Sequence, residues 1–329
     1  MDPISQGAVG AAAALFVAKK PGVRRAAVIG AISGMAPDLD VVFRSGEDPL
    51  FALEMHRQFT HALAFIPVGG LLVALFLWAL FYRKRSFKEV WLLATVGYAT
   101  HGLLDACTSY GTQLMWPFTD MRLAWDITSI IDPFITLPLL IVVITTCITQ
   151  RKNWLYRGTA LVALYFGFSI FQYQRALNEV EHIAGSADHA VIRARAMPTL
   201  GNVFVWRTLY EYDDNYYINA FALPLFSSPR IYPGEPIAKL NMARDFPAID
   251  VQSTQFNDVE RFRWFTDNWL VIEPGTTHTV GDLRYAVEPD STHSLWHITL
   301  TPTQQNQHVE YKNAMREGDN ILPWDMLFE

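Results

Sequence analysis

Three stretches of this chain, residues 62–82, 133–150 and 158–174, contain no Asp, Glu, Lys or Arg. A helix needs about 20 apolar residues to cross the hydrocarbon core of a bilayer, with roughly 17–25 tolerated. Three uncharged runs of that size in one half of a chain are hard to hide inside a soluble core. A fourth run, residues 90–106, is apolar except for His101 and Asp105. Two shorter runs, residues 7–18 and 26–37, are too short for confident spans and read as a hairpin of short or tilted helices. Charged residues make up 18% of the chain, against roughly a quarter in an ordinary soluble domain. This composition excludes a disordered chain, a collagen-like fibre and a disulfide-stapled miniprotein.

The net charge of −6 hides a split. Residues 1–175 carry 15 Lys and Arg against 11 Asp and Glu, whereas residues 176–329 carry 11 against 21. The expectation is an α-helical integral membrane domain over 1–175 followed by a soluble α+β, mainly β, domain over 176–329. Basic residues favour cytoplasmic connections. Lys19, Lys20, Arg24 and Arg25, then Arg83, Lys84, Arg85 and Lys88, then Arg151, Lys152 and Arg157 fall in alternate connections. Placing these inside puts the amino terminus, residues 38–61, residues 106–132 and the second domain on the extracytoplasmic side of a multi-pass membrane protein. In a Gram-negative bacterium that is the periplasmic side of the inner membrane. A signal peptide has positive charge before its apolar region. Here Asp2 comes first and the lysines follow, so no cleavage is expected. Cys107 and Cys147 fall near opposite faces in this topology and are not expected to pair.

In the second half, residues 203–210, 216–223, 269–273, 283–287 and 295–300 read as strands, being aromatic or β-branched and bounded by turn residues. Residues 255–267 read as a helix, and 176–200 as a helix and a connection. The acidic balance argues against a nucleic-acid partner, whose phosphates it would repel. His182, His189, His278, His293, His297 and His308 show no compelling ligand spacing and read as surface or packed histidines.

Ionisable groups at membrane depth are costly and are functional candidates by default. His101 and Asp105 lie one helical turn apart on one face. Asp38 and Asp40 form a D-x-D turn after Pro37. His56 and His61 bracket H-R-Q-F-T-H at the entrance to the first long run. Asp126 and Asp132 precede the next long run after residues 90–106. All of these map to the outer side of the topology, which was assigned from Lys and Arg alone. Clustered carboxylates repel one another without a cation. Mixed His and Asp donors suit one or two divalent ions, Zn or Mn before others. The expected ligands are Asp38, Asp40, His56, His61, His101 and Asp105, with Asp132 as a further candidate.

At these residues the sequence resembles the bacterial inner-membrane metal-dependent hydrolases of the YdjM-like type. The matching pieces begin with Met1-Asp2-Pro3-Ile4-Ser5-Gln6-Gly7-Ala8 and Gly34-Met35-Ala36-Pro37-Asp38-Leu39-Asp40. They continue with His56-Arg57-Gln58-Phe59-Thr60-His61-Ala62, His101-Gly102-Leu103-Leu104-Asp105 and Tyr110-Gly111-Thr112-Gln113. Trp116-Pro117-Phe118 and Ile130-Ile131-Asp132-Pro133 complete a series that runs in order through residues 1–175. The second half is similar, more loosely, to the extra domain of longer members. Many members carry Thr-His where this chain has Ser5-Gln6, so no histidine ligand is carried over there. Many carry Ser where this chain has Ala62. The resemblance implies metal-dependent hydrolysis and leaves the substrate open.

The chemistry expected of the residues themselves is hydrolysis at the outer membrane face. Arg57 would bind an anionic group such as a phosphate, the blander role being snorkelling or pairing with Glu54. Asp126 or Asp132 would serve as general base. Membrane lipid surrounds such a site, so a lipid or lipid-linked phosphoester is the expected substrate class. The competing reading is a non-enzymatic membrane protein with a structural metal and an outer domain that recruits a partner. Transport through the cluster predicts polar residues continuing to the inner face, and the spans contain few.

Overall fold

Each of the uncharged stretches forms helix. A computed structural model describes residues 1–313. Helix α1 (Pro3–Val17) starts at Asp2, whose carboxylate accepts the Ile4 and Ser5 N–H groups at 3.0 Å, with Pro3 in the first turn. Helix α2 (Val23–Met35) runs into a 3₁₀ segment, Ala36–Val42, that carries Asp38 and Asp40. After the short α3 (Phe51–Met55) come 3₁₀ turns at Phe59–His61 and Leu63–Phe65, then α4 (Ile66–Leu77) and a π-helical turn, Trp78–Tyr82. Helices α5 (Phe87–Ala106), α6 (Pro133–Thr149) and α7 (Lys152–Ser186) follow. The helical stretch Leu63–Tyr82 and α7 are long and apolar enough to cross a bilayer. Only 22% of the apolar window of each is buried, where a soluble core helix would be mostly buried. Helices α1 and α6 are apolar but shorter. Cys107 and Cys147 are free thiols.

The chain divides into two compact units. The first comprises Met1–Phe43, Met55–Phe171 and Leu200–Asn202. Within it, α1 and α2 pack antiparallel through glycines. A Cβ on Gly30 would stand 2.4 Å from the Gly10 carbonyl oxygen and 2.5 Å from the Ala14 Cβ. Helix α5 approaches the same point, since a Cβ on Gly97 would meet the Gly30 oxygen at 2.7 Å. Small residues let backbones close together where lipid supplies no hydrophobic drive between helices. This packing brings the ends of α2 and α5 side by side.

The second unit comprises Arg44–Glu54, Gln172–Thr199 and the chain from Val203. It is built on two antiparallel sheets. One has β1 (Arg193–Pro198), β2 (Val205–Tyr212), β3 (Asn215–Ala222) and β4 (Arg230–Pro233) in that order, with β5 (Ile237–Ala238) also on β3. Helices α8 (Met242–Asp245) and α9 (Thr254–Phe265) precede the other, which is β6 (Leu270–Ile272), β7 (Thr279–Asp282), β8 (Trp296–Thr299) and β9 (Glu310–Asn313). The buried Arg207 donates to the carbonyls of Leu283, Pro289 and Ser291. The segment Arg44–Glu54 is held here by Arg261, which pairs with Asp48 at 2.8 Å and Glu54 at 2.6 Å.

Two of the expected elements differ. Residues 193–198, read as a connection, form β1, because Arg193 is neutralised by Glu211 at 2.8 Å across the β1–β2 pair. Residues 283–287, read as a strand, form a turn. The Asp282 carboxylate accepts the Arg284 N–H at 3.1 Å and bonds its guanidinium, a local arrangement that competes with a ladder.

The glycine contact yields a test. Replacing Gly30 with Val overpacks the α1–α2–α5 contact and should destabilise the first unit by about 1–3 kcal/mol or more. Gly167 has nothing within 4 Å of its would-be Cβ, so Gly167→Val should be near neutral. Thermal denaturation in detergent, followed by size-exclusion, compares the two.

Candidate metal centre

The site forms where the Ala36–Val42 segment, the loop at 56–61 and the end of α5 meet. Asp40 organises the loop. Its side chain is fully buried, with Oδ1 2.8 Å from His56 Nδ1 and Oδ2 accepting the Arg57 N–H and the Thr60 hydroxyl, each at 3.0 Å. Arg57 adopts a left-handed backbone, φ 66°, as it makes this contact. His101 and Asp105 are both fully buried on α5. Gly102 lies between them, and a Cβ there would stand 2.2 Å from the His61 carbonyl oxygen. The bare α-carbon is what lets His61 approach His101.

Four ligand atoms converge: His61 Nε2, His101 Nε2, one oxygen of Asp38 and one of Asp105. The two imidazole nitrogens are 2.9 Å apart. Asp38 Oδ1 lies 3.4 Å from His61 and 3.3 Å from His101. Asp105 Oδ2 lies 3.2 Å and 3.6 Å from the same nitrogens. Ligands bound to a tetrahedral ion at ~2.0–2.1 Å have edges of about 3.3 Å, which these separations straddle.

The hydrogen-bond partners point the same way. His101 Nδ1 lies 2.6 Å from the Gly34 carbonyl, which can only accept, so Nδ1 carries the proton. Thr60 donates to Asp40, so its oxygen accepts from His61 Nδ1 at 2.9 Å. In the neutral form both rings therefore present Nε2 lone pairs to one another, with carboxylate oxygens beside them. That arrangement repels unless a divalent ion, or a proton on one imidazole, sits among the four atoms. The donor set fits a divalent ion.

A second group, Asp38, Asp40 and His56, shares Asp38 with the first. It offers three ligands rather than four. Its His56 Nδ1 lies 2.8 Å from Asp40 Oδ1, a contact that orients the ring. Asp38 and His56 keep 23% and 24% of their side chains exposed, whereas His61, His101 and Asp105 have none. The second group is thus the one reached from solvent. Burial raises the Asp40 carboxyl, but the His56 hydrogen bond and the nearby His61 outweigh it and hold it below its ordinary value. Burial lowers the His56 imidazole, which favours the neutral, ligating form.

Six of the expected ligands come together in these two groups: Asp38, Asp40, His56, His61, His101 and Asp105. Asp132 stands in neither. It caps α6, accepting the Phe134 N–H at 3.0 Å and the Tyr165 hydroxyl at 2.8 Å, and burial pushes its carboxyl up. Asp126, also outside both groups, is buried with a left-handed backbone, φ 56°. Arg57 is buried with Nε 3.0 Å from Asp105 Oδ2 and Nη1 donating to Thr108 Oγ1 at 3.0 Å. Its guanidinium stacks 4.6 Å over the Tyr110 ring, which Arg122 also flanks at 5.2 Å.

Sequence reasoning left out Gln6. It is fully buried and its amide donates to Asp105 Oδ1 at 2.9 Å. Its place at the Ser5-Gln6 departure was the available signal. The Met1 amino group also contacts Asp105. Thr60, Thr108 and Gly102 were within quoted motifs or beside them, but nothing in their spacing marks a carboxylate anchor.

Comparison with known proteins adds the following. The family described as YdjM inner membrane protein matches residues 1–176. The uncharacterized protein YfhP of Bacillus subtilis (strain 168) is 29% identical over 120 residues, 36% of this chain and 36% of that protein. The inner membrane protein YbcI of Escherichia coli (strain K12) is 35% identical over 102 residues, 28% of this chain and 54% of that protein. The aligned regions thus cover about a third and a half of the lengths of these two relatives. No solved structure matches the chain.

Elemental analysis of the detergent-purified protein tests the site. The double variant His101→Ala, Asp105→Ala should lose the ion of the four-ligand group, while Asp132→Asn should keep it. Gln6→Leu removes an outer-shell donor and should weaken metal affinity by about 10–100-fold. Gly102→Ala should weaken it as well, by pushing the His61 loop away. Unchanged metal content in the double variant would remove the site.

Proposed function

The chain belongs to the YdjM inner membrane protein family, and from that premise we propose that it is a metal-dependent hydrolase working at the outer face of the inner membrane. In this reading Leu63–Tyr82, α5, α6 and α7 cross the membrane, the basic connections lie inside, and the second unit lies outside it. The observation that carries the chemistry is the pair of ligand groups sharing Asp38. The four-ligand group, His61, His101, Asp38 and Asp105, is a closed set. The three-ligand group, Asp38, Asp40 and His56, leaves coordination open, which is the mark of a catalytic rather than a structural position. Zn or Mn suits this mixture of imidazole and carboxylate.

A divalent ion held by Asp38, Asp40 and His56 would lower the pKa of its water towards ~7 and would polarise a phosphoryl or carbonyl oxygen. The protein's own residues do the rest. Asp40 fixes the His56 ring and, through Thr60, the His61 tautomer. Arg57 and Gln6 hold the Asp105 carboxylate in place. Arg122, which flanks Tyr110 at 5.2 Å, is the charge proposed to draw an anionic group towards His56, whose ring centroid is 5.6 Å from that of Tyr110. An anionic substrate at a membrane face suits a lipid or lipid-linked phosphoester. Asp126 is the proposed general base.

The closed four-ligand group favours a second reading, a structural ion in a protein without turnover whose outer domain recruits a partner. The two readings separate experimentally. Purified protein loaded with Zn or Mn should cleave a member of a panel of soluble and lipid-linked phosphoesters, and a chelator should abolish cleavage. His56→Ala should lower turnover by at least about a hundredfold while one equivalent of metal remains in the four-ligand group. A folded, metal-loaded protein that cleaves nothing in the panel would leave the structural reading.

A further inference from the structure

The second unit carries an apolar loop that neither its sheets nor the metal centre uses. After β3 the chain turns through Leu223, Pro224, Leu225 and Phe226. Phe226 is 100% exposed and Leu225 49%. A fully exposed Phe beside an exposed Leu is unfavourable in water. The loop's base, however, is fixed. Gln172 on α7 is fully buried, and its amide donates to the carbonyls of Leu223 at 2.8 Å and Val203 at 3.2 Å. Arg175, one turn further along α7, donates to the carbonyls of Leu223 at 3.3 Å and Pro224 at 3.0 Å. Gln172 itself accepts from Arg175 at 2.6 Å.

The position of these anchors on α7 identifies the occupant. The uncharged stretch of that helix ends at Gln174, and Arg175 is the first charged residue after it. A helix that crosses a bilayer with this stretch leaves the hydrocarbon at the turn holding the loop. The loop then lies at the headgroup level, where Arg side chains and aromatic rings are both favourable. Arg230, paired with Ala222 at the end of β3, adds a second basic residue beside it. Arg230 is one of 11 basic residues against 21 acidic ones in residues 176–329, and Arg175 immediately precedes that stretch. The loop's place at the end of the uncharged stretch of α7 puts this cationic edge level with anionic phospholipid headgroups rather than with a protein partner in the aqueous phase.

We infer that Leu225 and Phe226 insert into the leaflet from which α7 emerges, anchoring the second unit to the membrane surface through phospholipid, with Arg175 and Arg230 at the headgroups. The inference rests on the proposed crossing of the membrane by α7. Insertion of this kind is interfacial and shallow, adding to the anchoring that a spanning helix provides.

The test uses the full chain in nanodiscs of phosphatidylethanolamine and phosphatidylglycerol, with Cys107 and Cys147 replaced by Ser. A nitroxide is attached at Ser227→Cys, leaving Leu225 and Phe226 intact, and its collisions with oxygen and with a water-soluble nickel chelate are measured. Leu164→Cys, on the exposed face of α7, serves as the hydrocarbon reference, and the exposed Gln252→Cys as the aqueous one. The Ser227 label should collide with the chelate at least about threefold less than the Gln252 label, as an interfacial position does. Adding Leu225→Asp and Phe226→Asp should return it to the aqueous value. A Ser227 label that reads like Gln252 while Leu164 reads as hydrocarbon overturns the anchor. So does a label that stays shielded in the double Asp variant. A Leu164 label exposed to the chelate overturns the membrane crossing itself, and with it the premise.

Discussion

Four ligand atoms of the same polarity meet in a place from which water is largely excluded, and much of the first unit is arranged around that fact. Two imidazole nitrogens stand 2.9 Å apart with carboxylate oxygens on either side. Nothing in that set can donate to the others while the rings are neutral and their Nδ1 atoms hold the protons. A cation satisfies all four at once. The surroundings fix the direction of each group: Gly34 and Thr60 set the tautomers, Gln6 and Arg57 hold Asp105, and Asp40 ties the 56–61 loop to the end of α2.

The helix packing exists at the same place and serves the same end. Glycines at 10, 30 and 97 let α1, α2 and α5 approach to backbone distance. Gly102 does the same for the His61 loop. Small residues of this kind bring helix backbones within van der Waals contact of one another. They also explain why a half-chain rich in small residues can hold ionisable groups in register. The second unit follows a different logic, with antiparallel ladders, buried aromatics and arginines bonded to carbonyls, as suits a domain that meets water.

The helices were legible because absence of charge over a bilayer's length is a one-dimensional property. The strands were less so. Val205–Tyr212 and Asn215–Ala222 are near the expected runs, since their aromatic and β-branched composition marks them. Arg193–Pro198 escaped notice because Arg193 is neutralised by Glu211 and Asp267, which are distant in the chain. Residues 283–287 looked like a strand because side-chain composition does not show that Asp282 bonds back to Arg284.

The six ligands were legible as residue types that an apolar segment carries only at a cost. Which of them face one another was not. Asp38 could be assigned to a turn, but its sharing between two groups depends on how α2, the 56–61 loop and α5 meet. Asp132 has the same chemistry as the ligands and caps a helix instead. Arg57, expected to meet an anion, lies against Asp105. By itself the sequence determined that the first half is apolar and helical, that the second is a separate polar domain, and that its few ionisable residues gather in a few short segments. The division of those residues into a closed group, an open group and helix caps was decided only by tertiary structure. Ligation needs atoms a few ångströms apart, and the residues that meet here are up to 67 positions apart in the chain.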